Sequence, residues 1–475
     1  MFPRVLCSLT ALLCLRAVAA EPAPARPPNI VLIVTDDQRS DTIHALGDPI
    51  IHTPHLDALA QRGFVFTRAA NQGANNGAVC VPARAMLLSG RTLWRVDSTL
   101  ARTTTLGGFF GAHGYATFGT GKWHNGQPSL AASFQNARNI TAGFLGTGHS
   151  DDYATLHIAD GTVTKGRNTA RLHSTDLIGQ TAVDFLATRK GQPQPFFLYV
   201  AFNAPHDPRQ APGEWTARYR DADGRSTVPL PANFLPAHPF DNGDLAIRDE
   251  QLLPRPRDPA AVREQLAIYY GMISHLDDWV GKITRALRDA GLGENTLLVF
   301  TSDHGLALGS HGLLGKQNLY EHSLGVPLIF AGPGIPAGKS DALTLHPDIY
   351  PTLADFAGLR PQLPAGQIEG RTLRPVITGA GPAPRASTYH GYLNKQRALR
   401  SGPWKLIEYD VAGTRTAQLF DLATDPHEMT DLATRPEHAA QLAGLRAGMD
   451  EARTAHGDTG WGKSAPAKRG AEQQK

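Results

Sequence analysis

Several short apolar runs in this chain end abruptly in dense polar clusters, and this pattern constrains the fold more than any other. Residues 30–34 run into Thr35-Asp36-Asp37, and residues 297–300 into Thr301-Ser302-Asp303-His304-Gly305. Residues 196–202 end in Asn203-Ala204-Pro205-His206, and residues 115–118 lead to Gly121-Lys122-Trp123-His124. Runs of strand length with little alternation suit strands covered on both faces. Helical patterns over residues 53–62 and 264–288 supply the cover, so the spacing predicts an α/β fold with a mostly parallel central sheet flanked by helices. Open parallel sheets bind ligands beyond the carboxyl ends of their strands. The four clusters are therefore expected to share one crevice.

At 475 residues the chain can bury a large core. From residue 385 its character changes: residues 397–400, 404–409 and 418–421 read as short strands and residues 435–453 as a helix. We expect a main unit over residues 29–384 and a smaller C-terminal α+β subdomain with an antiparallel sheet over residues 385–462. A disordered polar tail is expected over residues 463–475. Lys and Arg number 46 against 43 Asp and Glu, a near-neutral balance with no electrostatic call for nucleic acid.

Arg4, the apolar residues 5–15 and Ala17-Val18-Ala19-Ala20 have the form of a secretory signal over residues 1–20, followed by a Pro/Ala-rich lead over residues 21–28. The apolar run is too short for a bilayer, so the expectation is an exported protein, periplasmic or secreted, with no stable membrane anchor. Of the three cysteines, Cys7 and Cys14 lie in the signal and Cys80 alone survives processing. A lone cysteine cannot form an intramolecular disulfide. It is either a buried bystander or a chemical group.

Adjacent carboxylates repel, and keeping Asp36 and Asp37 ionised at a strand end calls for cations; the alternative is an exposed capping turn. Asp303-His304 at a second strand end favours a metal. Mostly oxygen donors suit calcium or magnesium better than zinc. Pro82 suits a first helical turn, which puts Cys80 at a helix start and Arg84 one turn on. Free N–H groups and a guanidinium fork there suit a tetrahedral oxyanion such as sulfate or phosphate. Lys122 and His124 would share one face of an extended segment. His311 and His322 flank Lys316, so pocket roles are open to them, whereas His149 and His275 are better read as structural or surface residues.

Cys80-Val81-Pro82-Ala83-Arg84, with Leu88-Ser89-Gly90-Arg91 after it, resembles the signature of type I sulfatases. The Asp36-Asp37, Gly121-Lys122-Trp123-His124, Pro205-His206 and Ser302-Asp303-His304-Gly305 elements follow in that family's order. The resemblance implies an alkaline-phosphatase-like fold and hydrolysis of sulfate monoesters, with a sulfated carbohydrate as substrate. It implies that Cys80 is oxidised to formylglycine by a formylglycine-generating or sulfatase-maturing enzyme. It further implies one Ca2+ per chain, with Mg2+ as the alternative, held by Asp36, Asp37, Asp303 and His304 together with the residue at position 80. Many members carry Asn where His304 stands, although His is familiar in carbohydrate-directed ones. By the same resemblance Arg84 steadies the aldehyde hydrate, Lys122 and Lys316 bind sulfate oxygens, His124 serves the formylglycine hydroxyl and His206 serves the departing alcohol. The competing expectations are a phosphodiesterase or phosphonate monoester hydrolase of the same superfamily, and a noncatalytic glycan-binding relative whose Cys80 stays a thiol.

Overall fold

The apolar runs become the middle of a ten-stranded sheet. The computed structural model describes residues 26–143, 145 and 148–461; the leader expected over residues 1–20, residues 21–25 of the lead and the tail expected over residues 463–475 lie outside the described residues. In spatial order the sheet runs Gly338–Ser340, Phe64–Phe66, Leu328–Ala331, Thr296–Ser302, Asn29–Thr35, Phe196–Ala201, Ala116–Lys122, Asn136–Thr141, Ala154–Ala159 and Thr162–Arg167. From Thr296–Ser302 through Asn136–Thr141 every neighbour is parallel, and antiparallel pairs appear towards the edges. The α/β architecture is the expected one.

Alternation along Asn29–Thr35 shows why the sheet is buried on both faces. Ile30, Leu32 and Val34 pack with Phe197, Tyr199 and Phe110 on one side. Val31 and Ile33 pack with Leu198, Val200, Met272 and Leu276 on the other. Each such side chain contributes about 1.5–3 kcal/mol on burial. Met272 and Leu276 belong to the helix Pro259–Asp289, which starts with Pro259 and is capped by the Asp258 carboxylate accepting from the Ala261 N–H. Among the described residues no helix is long and apolar enough to cross a membrane.

Strand register then aligns the polar clusters. Thr35 lies opposite Ser302 and Val34 opposite Ala201, while Gly121 also pairs with Ala201. The strand Ala116–Lys122 extends past the apolar run over 115–118, because both neighbouring strands pair with its Gly-Thr-Gly segment. Gly121 has φ +89°, and a Cβ there would stand 1.9 Å from the Ala201 carbonyl oxygen. A Gly121→Ala variant is expected to lose about 2–4 kcal/mol of stability from combined strain and overpacking. Urea unfolding that detects no such loss would contradict this reading of the strand.

A second, five-stranded sheet runs Thr414–Asp421, Trp404–Val411, Gln396–Ser401, Ser387–Tyr392 and Gly73–Ala74. Its last pair is parallel and the rest are antiparallel. The helix Ala439–His456 covers it through Leu445 and Met449, which pack on Tyr389, Leu399, Leu406 and Leu419. Its strand Gly73–Ala74 belongs to the segment that leads into Cys80.

Candidate active site

Cys80 opens the helix Cys80–Ser89, whose C-terminus stops at Gly90 in the left-handed conformation. Pro82 falls in the first turn, where no backbone donor is needed. One turn on, Arg84 is fully buried and reaches back beneath the strand ends. Its Nε donates to Asp303 Oδ2 at 2.9 Å, and its Nη1 donates to the Lys122 carbonyl at 3.1 Å and to the Tyr199 hydroxyl at 3.2 Å. Its Nη2 lies 3.7 Å from Asp36 Oδ2.

The parallel register brings the carboxylates together. The Asp303 N–H donates to the Thr35 carbonyl (3.1 Å), and the Asp37 N–H donates to Asp303 Oδ1 (3.2 Å). Asp37 bends the chain with φ 71°. The Cys80 thiol sits 3.3 Å from Asp36 Oδ1 and 3.9 Å from Asp37 Oδ1. Lys122 pairs with Asp36, and Lys316 pairs with Asp37 while standing 3.3 Å from Cys80 Sγ. Asp36, Asp37, Asp303, Cys80, Arg84, Lys122 and Lys316 are all buried. His206 Nε2 lies 3.7 Å from Asp37 Oδ2, and its Nδ1 bonds the Asp207 carbonyl at 2.6 Å.

Burial raises the cost of every charge here, and local partners decide the outcome. Burial alone would push the Asp36 carboxyl up, but Lys122, His206, Arg84 and Lys316 hold it well below the usual range. Burial keeps Asp37 well above that range despite Lys316, with Asp36 and Asp303 adding to the rise. Asp303 is raised by burial and by Asp36. Burial, Asp303 and Asp36 push the Cys80 thiol far up, so the unmodified side chain is a poor source of thiolate. Burial, with Lys316, pushes His206 down to about 3; burial, with Lys122, does the same to His124.

A divalent cation fits this donor set. Three buried carboxylates converge, and two of them, Asp37 and Asp303, are raised by burial and then by their acidic neighbours, a cost that a hard cation relieves. Ligand atoms of Asp36, Asp37, Cys80 and His206 lie within 4.8 Å of one another. His304 is turned elsewhere: its Nδ1 faces Asn71 Nδ2 at 3.1 Å and its Nε2 faces the Val79 carbonyl at 3.2 Å, under the start of the Cys80 helix. A second group, His173, Asp176 and His275, has the same ligand spacing. Both His173 nitrogens are already engaged, by the Thr175 N–H and the Gln210 carbonyl.

The structure thus brings Asp36, Asp37, Asp303, Cys80, Arg84, Lys122, Lys316 and His206 into one buried cluster. His124 does not continue an extended segment from Lys122. Its φ is 68°, so the alternation expected from sequence breaks there, and its Nδ1 is buried with no hydrogen-bond partner among the described residues. The rings of His311 and His322 pack against Tyr320, at 4.0 and 5.6 Å between centroids. Sequence reasoning missed Tyr199, which holds Arg84, and Asn71, which faces His304. It also missed the support of the Pro205-His206 loop by His149, whose Nε2 bonds the His206 carbonyl at 3.0 Å. No local spacing signals these partners, because each contact joins distant parts of the chain.

The family model described as sulfatase matches residues 28–359, and one described as N-sulphoglucosamine sulphohydrolase, C-terminal, matches residues 309–455. An arylsulfatase of Clostridium perfringens is 28% identical over 88% of this chain and 93% of its own length. The solved structure of BT4656 in complex with its substrate D-glucosamine-2-N,6-O-disulfate superposes with a TM-score of 0.76 at 23% identity, covering 93% of this chain and all of that one. A phosphonate monoester hydrolase of Agrobacterium radiobacter superposes with a TM-score of 0.70 at 25% identity, over 90% of this chain and 96% of its own.

Proposed function

Because this chain belongs to the sulfatase family and is a sulfuric ester hydrolase, we propose that it acts outside the cytoplasm on a sulfated carbohydrate, with Cys80 converted to formylglycine. The observation that carries this reading is the buried convergence of Asp36, Asp37 and Asp303 with Arg84, Lys122 and Lys316 around the side chain at position 80. Sulfate monoesters are anions, so cationic groups must meet the nonbridging oxygens before any nucleophile can approach. The carbohydrate reading is supported by the C-terminal match to an N-sulphoglucosamine sulphohydrolase model. The signal-like residues 1–20 support export, and a maturing enzyme acting on Cys80 is the implied partner.

In this reading Asp36, Asp37 and Asp303 hold a cation, Ca2+ with Mg2+ as the alternative. His304 joins them only by giving up one of its present bonds, to Asn71 Nδ2 or to the Val79 carbonyl. Formylglycine and the cation together supply a hydrated aldehyde nucleophile beside neutralised sulfate oxygens. Arg84, locked by Tyr199 and Asp303, steadies that side chain. Lys122 and Lys316 exchange carboxylate partners for sulfate oxygens as substrate enters. His124, with its unpartnered Nδ1, takes a proton from position 80 as sulfate leaves. His206 rests neutral with its Nδ1–H on the Asp207 carbonyl; as the sulfate anion offsets Lys316 it takes up a second proton on Nε2, which it presents to the departing alcohol.

Paired assays of inorganic sulfate and phosphate release test the reaction class. Release of sulfate from sulfated oligosaccharides, with little phosphate from matched phosphate or phosphonate esters, is the expected result. The reverse preference would assign the phosphonate alternative. His206→Ala tests the leaving-group role: it should cost a sugar sulfate about 10²- to 10⁴-fold in kcat/KM and spare an activated aryl sulfate, whose oxide leaves unaided. His124→Ala should slow both substrates. Equal losses on both for His206→Ala would remove it from that role.

A further inference from the structure

Two of the site's groups sit on loops rather than strand ends. His206 follows the strand Phe196–Ala201, and Lys316 lies in the long connection between the strands Thr296–Ser302 and Leu328–Ala331. We infer that the short turn Arg248–Gln251 is a brace that positions these two loops relative to each other across the pocket. This inference rests on the roles proposed above for His206 and Lys316.

Three consecutive side chains of the turn reach the two loops, Arg248 the His206 loop and Asp249 and Glu250 the Lys316 loop. Arg248 forks onto the Asp207 carboxylate (Nη1–Oδ2 2.5 Å, Nη2–Oδ1 3.1 Å) and bonds Asp249 Oδ1 at 2.7 Å. Asp207 is buried and immediately follows His206, whose ring is anchored on the Asp207 carbonyl. Asp249 Oδ2 accepts from Gln317 Nε2 at 3.0 Å, and Gln317 Oε1 accepts from the Lys316 N–H at 3.0 Å. Glu250 Oε1 accepts from the Leu314 and Gly315 N–H groups at 3.0 and 2.8 Å. Fully buried Arg257 pairs with Glu250 and donates to the Gly312 carbonyl at 3.2 Å.

The Gln317 amide can lie only one way round. Its oxygen receives the Lys316 N–H, while its nitrogen faces Asp249 and the Gly77 carbonyl, the latter at 3.3 Å. A flip would turn donors against Lys316 and the oxygen against two acceptors. Gly315 leaves no slack, since a Cβ there would come within 2.5 Å of Gln317 Oε1 and 2.9 Å of Asp249 Cβ. Apolar packing could hold such loops at lower desolvation cost. Charge-assisted bonds with forked geometry add a fixed direction, which a lysine aimed at sulfate oxygens and a histidine aimed at the leaving oxygen both need. Arg248, Asp249 and Glu250 are thus positioning residues that act through His206 and Lys316.

Double-mutant cycles test the brace in the full-length, formylglycine-bearing enzyme. Asp249→Ala removes the oxygen that accepts from Gln317 Nε2. It should weaken inhibition by inorganic sulfate about tenfold in the otherwise native enzyme and less than about twofold in a Lys316→Ala background. Arg248→Gln, at a half-exposed site that tolerates substitution, should cost a sugar sulfate about tenfold in kcat/KM with native His206 and almost nothing in His206→Ala. Equal fold-losses in both backgrounds, or no loss in either, would overturn the brace. If the native enzyme releases phosphate rather than sulfate, the reaction reading fails. The same cycles, run with that substrate and inorganic phosphate, then still decide the brace.

Discussion

A Cys80→Ser enzyme is expected to release alcohol once per active site and then stop. Serine puts a single hydroxyl into the pocket formed by Asp36, Lys316 and the start of the helix Cys80–Ser89. It can accept sulfate but has no second hydroxyl to expel it, so the sulfated side chain persists. The steady-state rate should fall by about 10⁴- to 10⁶-fold, the scale of losing a nucleophile from a coupled catalytic group. A rapid-quench burst equal to the enzyme concentration, with sulfate retained on the position-80 peptide, is the expected pattern. Steady turnover by the serine variant near the native rate would overturn the formylglycine reading. So would a fully active native preparation whose position-80 peptide has the mass of unmodified cysteine. The raised thiol of Cys80 makes the unmodified residue a poor nucleophile, because a buried thiol beside Asp303 and Asp36 resists becoming a thiolate.

Asp303→Ala should abolish both cation binding and turnover. The carboxylate has three tasks: it stands in the acidic cluster, receives Arg84 Nε and receives the Asp37 N–H. Its loss leaves the fully buried Arg84 guanidinium short of its principal partner and frees the bend at Asp37. At least about 10³-fold should disappear from kcat/KM, the upper range for one preorganised electrostatic group. Ca2+ at a hundredfold excess over its dissociation constant stabilises a folded protein by about 2.7 kcal/mol. Chelation should therefore lower the Tm of the native enzyme, and added Ca2+ should restore it. Asp303→Ala and Asp36→Ala should show no response to either. Full cation occupancy in either variant would refute the assignment, whereas an intact response to Mg2+ alone in the native enzyme would change only the identity of the ion.

Local chemistry was legible wherever it depends on residues near one another in sequence. Cys80, Pro82 and Arg84 lie within one turn of a helix, so their juxtaposition follows from the helical repeat. The strand-end position of Asp36, Asp37 and Asp303 follows from where apolar residues stop. His124 was misjudged because a single positive φ overrides the two-residue alternation of a strand. The roles of His311 and His322 stayed open because flanking Lys316 in sequence says nothing about direction; the loop turns their rings towards Tyr320.

By itself, then, the sequence determined the class of fold, the buried two-faced sheet and the stock of charged groups delivered to its carboxyl edge. All of these arise from the period and length of apolar runs, which are properties of adjacent residues. Only the tertiary structure decided which of those groups meet. Asp36 and Asp303 are neighbours because Thr35 stands opposite Ser302, and a different register would have separated them. Lys316 is aimed by Asp249 and Glu250, and Arg84 is locked by Tyr199; in the unfolded chain these are remote and mutually indifferent. Such contacts carry no periodic signature. They exist only because packing the core excludes water, after which each buried charge must find a partner that folding has brought within reach.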